Sequence, residues 1–254
     1  MRRWQGQRGY GPGLAMPSGL ALGPPGPVPP AVKGLIAVNV AVYVLQILAP
    51  RGALIAWFGL IPVRVFAAGE IWRLFTYQFL HGGVWHLGLN MLILWMFGTE
   101  LEHRWGQRFF LKYYLLCGVG GGVTYALVRA GSPIPSVGAS GAIYGVLLAY
   151  GLWFPNRIVL LAFLFPIRVR HLIVFLVVLE LLQAMESTGA GIAYAAHLGG
   201  MGFGYLYLRK WTGGGLRLAV PGWHDLRRAY FRWKFRRLQR KRFGAGNRRG
   251  PTLH

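Results

Sequence analysis

The chain of 254 residues is 54% hydrophobic and only 13% charged, with a positive mean hydropathy; a soluble domain needs more surface charge, so this is the composition of a polytopic membrane protein. The formal charge of +22 would suggest nucleic acid if it were spread over a fold, but the basic residues are concentrated in tails and short loops. The single cysteine, Cys117, lies in an apolar run and excludes an internal disulfide.

Residues 1–32, including GPPGPVPP, carry Pro and Gly at a density that precludes a helix and leaves little to bury, and are expected to form a disordered tail. They contain no apolar h-region, so no cleavable signal peptide is expected. The first membrane helix is read at residues 34–48, between Lys33 and Pro50-Arg51, with Asn39 as a helix-packing hydrogen bond. Residues 51–85 mix Trp57, Phe58, Phe66, Trp72, Phe75, Tyr77 and Phe79 with Arg64, Glu70 and Arg73, a pattern that suits structure lying in the membrane interface. The second helix is expected at 86–102 and the third at 109–128.

The fourth, from Ser140 to the stop at Pro155, has fifteen residues and is too short to cross: roughly 22 Å against a hydrocarbon core of about 30 Å. The preceding loop GSPIPSVGA must then dip below the surface, where non-helical backbone is tolerated only if buried in protein or lining a cavity. Residues 158–170, interrupted by Pro166 and closed by Arg168 and Arg170, read as re-entrant or interfacial. A fifth helix follows at 171–185 and a sixth at 192–208, ended by Arg209-Lys210. The expected fold class is therefore all-α, with six transmembrane helices, a short central fourth helix and an interfacial first loop. The expected organisation is a tail at 1–32, a membrane domain at 33–210 and a basic tail at 211–254.

Arg104, Arg108, Lys112, Arg157, Arg168, Arg170 and the basic C-terminus fall on one side, whereas the opposite connections after the third and fifth helices hold only Arg129. The positive-inside tendency makes the first side, with both termini, cytoplasmic in the inner cell membrane. Helices two, four and six then all begin on the outer side, so His86, Ser140 and His197 share one depth. Asn90, four residues after His86, shares its face.

A serine at a helix N-terminus meets unpaired N–H groups and a positive dipole end that can hold an oxyanion, and Gly138, Ala139 and Gly141 remove bulk around it. Small-residue runs such as GASGAIYG also serve close helix packing, and a lone His197 also serves as a packing histidine. Together, however, serine, histidine and two extra donors at one depth make up an acyl-transfer site. Ala196, Gly200 and Gly204, spaced by four, form a small-residue seam that would bring helix six, and His197, to helix four.

The GASG around Ser140, the HxxxN of His86 and Asn90, Trp72-Arg73, the ExxxG of Glu102 and Gly106, and AHxxGxxxG around His197 resemble the rhomboid intramembrane serine proteases over residues 33–210, in the simple six-helix bacterial form. The resemblance implies a rhomboid-like bundle in which Ser140 is nucleophile and His197 base of a dyad without an acid. It also implies an oxyanion hole of His86, Asn90 and the Ser140 amide, with Gly138 and Gly141 supporting and Tyr144 packed on the imidazole. Single-pass membrane proteins are the implied substrates. An inactive family member that binds membrane clients, and a small channel, are the rival classes. Glu102 and Glu180 read as structural, neither as the acid, and no metal-ligand spacing such as HExxH occurs, so no cofactor is expected. The C-terminal arm at 223–249 alternates aromatics and leucines with Arg and Lys, which suits an interfacial helix on anionic lipid better than nucleic-acid binding.

Overall fold

Helices dominate because apolar runs without interior proline leave the backbone no other way to satisfy its own polar groups. The computed structural model describes residue 24 and residues 26–161, 165–185 and 194–213. Helix α1 spans Pro30–Leu48 and starts four residues earlier than expected, because Pro30 supplies a preset φ in the first turn. Three short helices follow, α2 (Ala53–Phe58), α3 (Pro62–Ala67) and α4 (Arg73–Thr76), and they occupy the stretch read as an interfacial loop. Next come α5 (Val84–Ile93), a π-helical segment at Leu94–Gly98, and α6 (Thr99–Trp105). The expected second helix is thus continuous in direction but interrupted in its hydrogen-bond pattern, and it begins at Val84 rather than His86.

Gly106, at φ +82°, makes the turn from α6 into α7 (Gln107–Val128), a conformation glycine adopts without a Cβ penalty. Helix α8 spans Ser140–Trp153, α9 Val169–Met185 and α10 Tyr194–Trp211. One expectation fails. Residues read as a re-entrant or interfacial stretch in an all-α fold form an antiparallel ribbon, β1 (Ile158–Leu161) with β2 (Phe165–Arg168), in which Val159 pairs with Ile167. Pro166 cannot continue a helix but is tolerated in an edge strand, and every strand of a two-stranded ribbon is an edge.

The core is the packing of α7, α8 and α10, joined by residues of α1, α5, α6 and the π segment. Small residues set the spacing: a Cβ on Gly200 would run into the Gly141 carbonyl, and one on Gly145 into Cys117. Tyr113 Oη donates to Gly145 O at 2.7 Å, tying α7 to α8. Helix α1 is held from its N-terminus, where the free N–H groups of Ala31 and Val32 donate to the two Glu102 oxygens, each at 2.8 Å. Glu102 therefore holds backbone groups of α1.

Among the described residues two helices, Pro30–Leu48 and Gln107–Val128, are long and apolar enough to cross a membrane. Only 22% of the apolar window of α1 is buried, so most of an apolar helix faces outward, as in a chain solvated by lipid. The described residues fall in the first of two units, Met1–Arg217; the second, Leu218–His254, with the basic arm at 223–249, lies outside them, as does most of the tail at 1–32.

Candidate active site

The loop ahead of α8 is pinned before it delivers its serine. Leu60 N–H donates to Ser136 O at 3.0 Å and Ser136 N–H returns to Leu60 O at 2.8 Å, while Gly138 N–H donates to Tyr77 O at 3.0 Å. The partner segment is itself anchored. Arg73, fully buried, donates to Gly59 O at 2.6 Å and Ala56 O at 2.8 Å, occupying carbonyls at the end of α2, and pairs with Glu70. Tyr77 Oη reaches Gly118 O at 2.7 Å, so this loop structure is fastened to α7.

Ser140 stands first in α8, with Gly138 at φ +129° just before it. A Cβ at Gly138 would lie 2.6 Å from His86 Cε1, 2.8 Å from His86 Nε2 and 3.7 Å from Ser140 Oγ. Glycine is thus required both by its dihedral and by the His86 ring beside the serine. The seam read in helix six is real at Gly200, which meets Gly141 on α8; Gly204 instead faces Tyr113 and Cys117 on α7.

This approach brings His197 to Ser140, with Nε2 and Oγ 2.8 Å apart. Tyr144 stacks on the imidazole, ring centroids 4.1 Å apart and planes within 5°. On the other ring nitrogen, Nδ1 lies 2.9 Å from Oε1 of Glu180, whose side chain is only 3% exposed. An ionised carboxylate can only accept, so with Glu180 ionised the ring carries its proton on Nδ1 and turns the Nε2 lone pair to the serine hydroxyl. That is the tautomer a general base requires.

His86 lies in the first turn of α5, and Asn90 is buried one turn on; Asn90 Nδ2 has no hydrogen-bond partner among the described residues. A buried donor left unpaired is costly in a folded chain. His81 lies in the short connection ahead of α5. It packs edge-on to His86 at 5.2 Å, is buried, and burial followed by His86 pushes its imidazole down to about 4, so it stands neutral beside the site. Among the described residues no group of three His, Cys, Asp or Glu side chains gathers as a metal site.

The chain is mostly helical and of membrane composition, and it sets a serine at the head of the short helix α8 against a histidine of α10. Residues 68–211 match the Rhomboid domain, and the chain belongs to the rhomboid family. It is 31% identical over 185 residues to RHOMBOID-like protein 12, mitochondrial, of Arabidopsis thaliana, a match covering 66% of this chain and 54% of that protein. It is 34% identical over 185 residues to Rhomboid protein 1, mitochondrial, of Saccharomyces cerevisiae, covering 69% and 51%. A shorter match, 44% over 90 residues, joins it to Rhomboid protease GluP of Bacillus subtilis, with 35% of this chain and 17% of that protein covered. The chain thus spans about half the length of the first two of these relatives, and they are mitochondrial members rather than the simple bacterial type expected from the motifs.

Proposed function

We propose that this chain is an intramembrane serine endopeptidase that cleaves single-pass membrane proteins in or near their transmembrane segments. The observation carrying this reading is the 2.8 Å contact between Ser140 Oγ and His197 Nε2 at the N-terminus of a helix, in a chain of the rhomboid family. Family membership alone leaves room for inactive members; an aligned hydroxyl and base are what an inactive member has no need to keep.

In the first half-reaction Ser140 Oγ attacks the scissile carbonyl carbon while its proton passes to His197 Nε2. The negative charge that develops on the carbonyl oxygen is met by the Ser140 N–H, unpaired in the first turn of α8, and by donors from His86 and the unpartnered Asn90 Nδ2. The imidazolium returns its proton to the amine nitrogen, the C–N bond breaks, and an acyl-serine remains. Water then attacks that ester, giving a proton to Nε2, and the proton goes back to Ser140 Oγ as the acid product leaves. Gly138 keeps the space between His86 and the hydroxyl open, Gly141 lets α8 pack closely on α7 and α10, and Tyr144 holds the imidazole plane.

In the membrane the reading places α1, α5 to α6, α7, α8, α9 and α10 as six spans of a domain at 33–210, multi-pass, with both termini cytoplasmic and the site near the outer face. The basic tail at 211–254 would rest on anionic lipid. Proteolysis of a single-pass test substrate by the purified chain, wild type beside Ser140→Ala, tests the reading. Cleavage by wild type and none by Ser140→Ala is expected. Equal cleavage by both would refute it.

A further inference from the structure

Helix α9 turns most of its apolar surface outward, with Val174, Phe175, Val178, Leu181 and Leu182 exposed, yet places one acidic side chain inward. Glu180 is 2% exposed, and a carboxylate at that depth needs a partner that repays its lost hydration. Its Oε1 lies 2.9 Å from His197 Nδ1, and the Tyr144 hydroxyl also hydrogen-bonds its carboxylate. The imidazole in turn has one nitrogen on Glu180 and the other on Ser140, so the three side chains from α9, α10 and α8 form a single hydrogen-bonded line.

On the strength of the protease reading above, we propose that Glu180 is a positioning residue that converts the serine–histidine pair into a Ser140–His197–Glu180 triad. It acts through His197 in two ways. Its negative charge selects the Nδ1–H tautomer, without which Nε2 cannot accept the serine proton, and it stabilises the imidazolium that exists only after that proton has moved. The second follows from charge: the carboxylate faces a neutral ring in the resting state and a cation once the proton has moved, so the interaction strengthens along the reaction coordinate. The other ionisable groups facing His197 supply neither effect. Tyr144 covers its face and hydrogen-bonds the Glu180 carboxylate, and His86 lies beside the serine near Gly138.

A purely structural pin between α9 and α10 would give the same contact, and kinetics separate the two. Glu180→Gln keeps size and hydrogen-bonding reach but removes the charge. It is expected to lower kcat by roughly 10²- to 10⁴-fold, as replacing a triad acid by its amide does, with KM little changed. Glu180→Asp, which restores the charge on a shorter arm, should recover part of the loss. Both are measured on monodisperse protein alongside wild type and Ser140→Ala. If wild type cleaves and Ser140→Ala does not, the protease reading stands whatever Glu180 does. Against that background, wild-type kcat in Glu180→Gln, or equal losses in Gln and Asp variants of unchanged melting temperature, would overturn the triad. Should Glu180→Gln fail to fold, the wild-type protein decides: a strongly downfield Nδ1–H proton resonance that vanishes in His197→Ala is expected, and its absence from wild type would overturn the proposal.

Discussion

Substituting Gly200 by alanine tests whether the α8–α10 approach is what aligns the site. A Cβ at Gly200 would lie 2.7 Å from the Gly141 carbonyl carbon and closer still to its oxygen, with Cys117 O at 3.2 Å. Non-bonded carbons settle at about 3.5–4.0 Å, so the helices must part by roughly 1 Å, and because the obstacle is backbone no side chain can turn aside to absorb it. Ser140 is adjacent to Gly141 and His197 is one turn from Gly200. Along the line joining them such a shift stretches the 2.8 Å contact to roughly 3.8 Å, outside hydrogen-bond range. Misplacement of about 1 Å can cost about 10²-fold in rate, whereas overpacking costs about 1–3 kcal/mol, of which alanine's higher helix propensity returns about 1. Gly200→Ala should therefore lose about 10²-fold in turnover with a small change in melting temperature. Gly202, on the same helix, has nothing within 4 Å of a Cβ, and Gly202→Ala should keep full turnover. Turnover and melting temperature measured on one preparation of each variant check this, and wild-type turnover in Gly200→Ala would refute the reasoning.

Asn90→Ala should lose about 10²–10³ in kcat yet remain measurably active, since one oxyanion donor of several is removed; unaltered turnover with a lowered melting temperature would take Asn90 out of the site. Glu102→Gln leaves one of the α1 N–H groups without an acceptor and should destabilise by about 1–3 kcal/mol in thermal or denaturant unfolding, while the folded fraction turns over at the wild-type rate. Reporters fused after Lys210 should read cytoplasmic and those inserted near Ser132 external, and the opposite pattern would invert the proposed topology.

Sequence alone determined the helices, because apolar runs bounded by Lys33, Pro50, Pro155 and Arg209-Lys210 have no other way to satisfy their backbone in lipid. It also singled out Ser140 and His197, since glycine and alanine around a serine, and a small-residue seam beside a histidine, are local patterns. The short α8 was legible for the same reason: its length is set by Ser140 and Pro155. Tertiary structure decided everything that depends on how a helix is rotated about its own axis. No spacing in the sequence joins Glu180 to His197 seventeen positions later across a helix boundary; its one signal was an acidic residue inside an apolar run, which states a need for a partner without naming it. His81 was unreadable likewise, because its burial against His86 follows from where Gln46 and the α4–α5 connection place it: the Gln46 side chain pairs with both the N–H and the carbonyl of His81. The β1–β2 ribbon was missed because an apolar run of a few residues carries no period that separates strand from helix, and only the return of the chain from Phe154 to α9 gives its backbone groups partners.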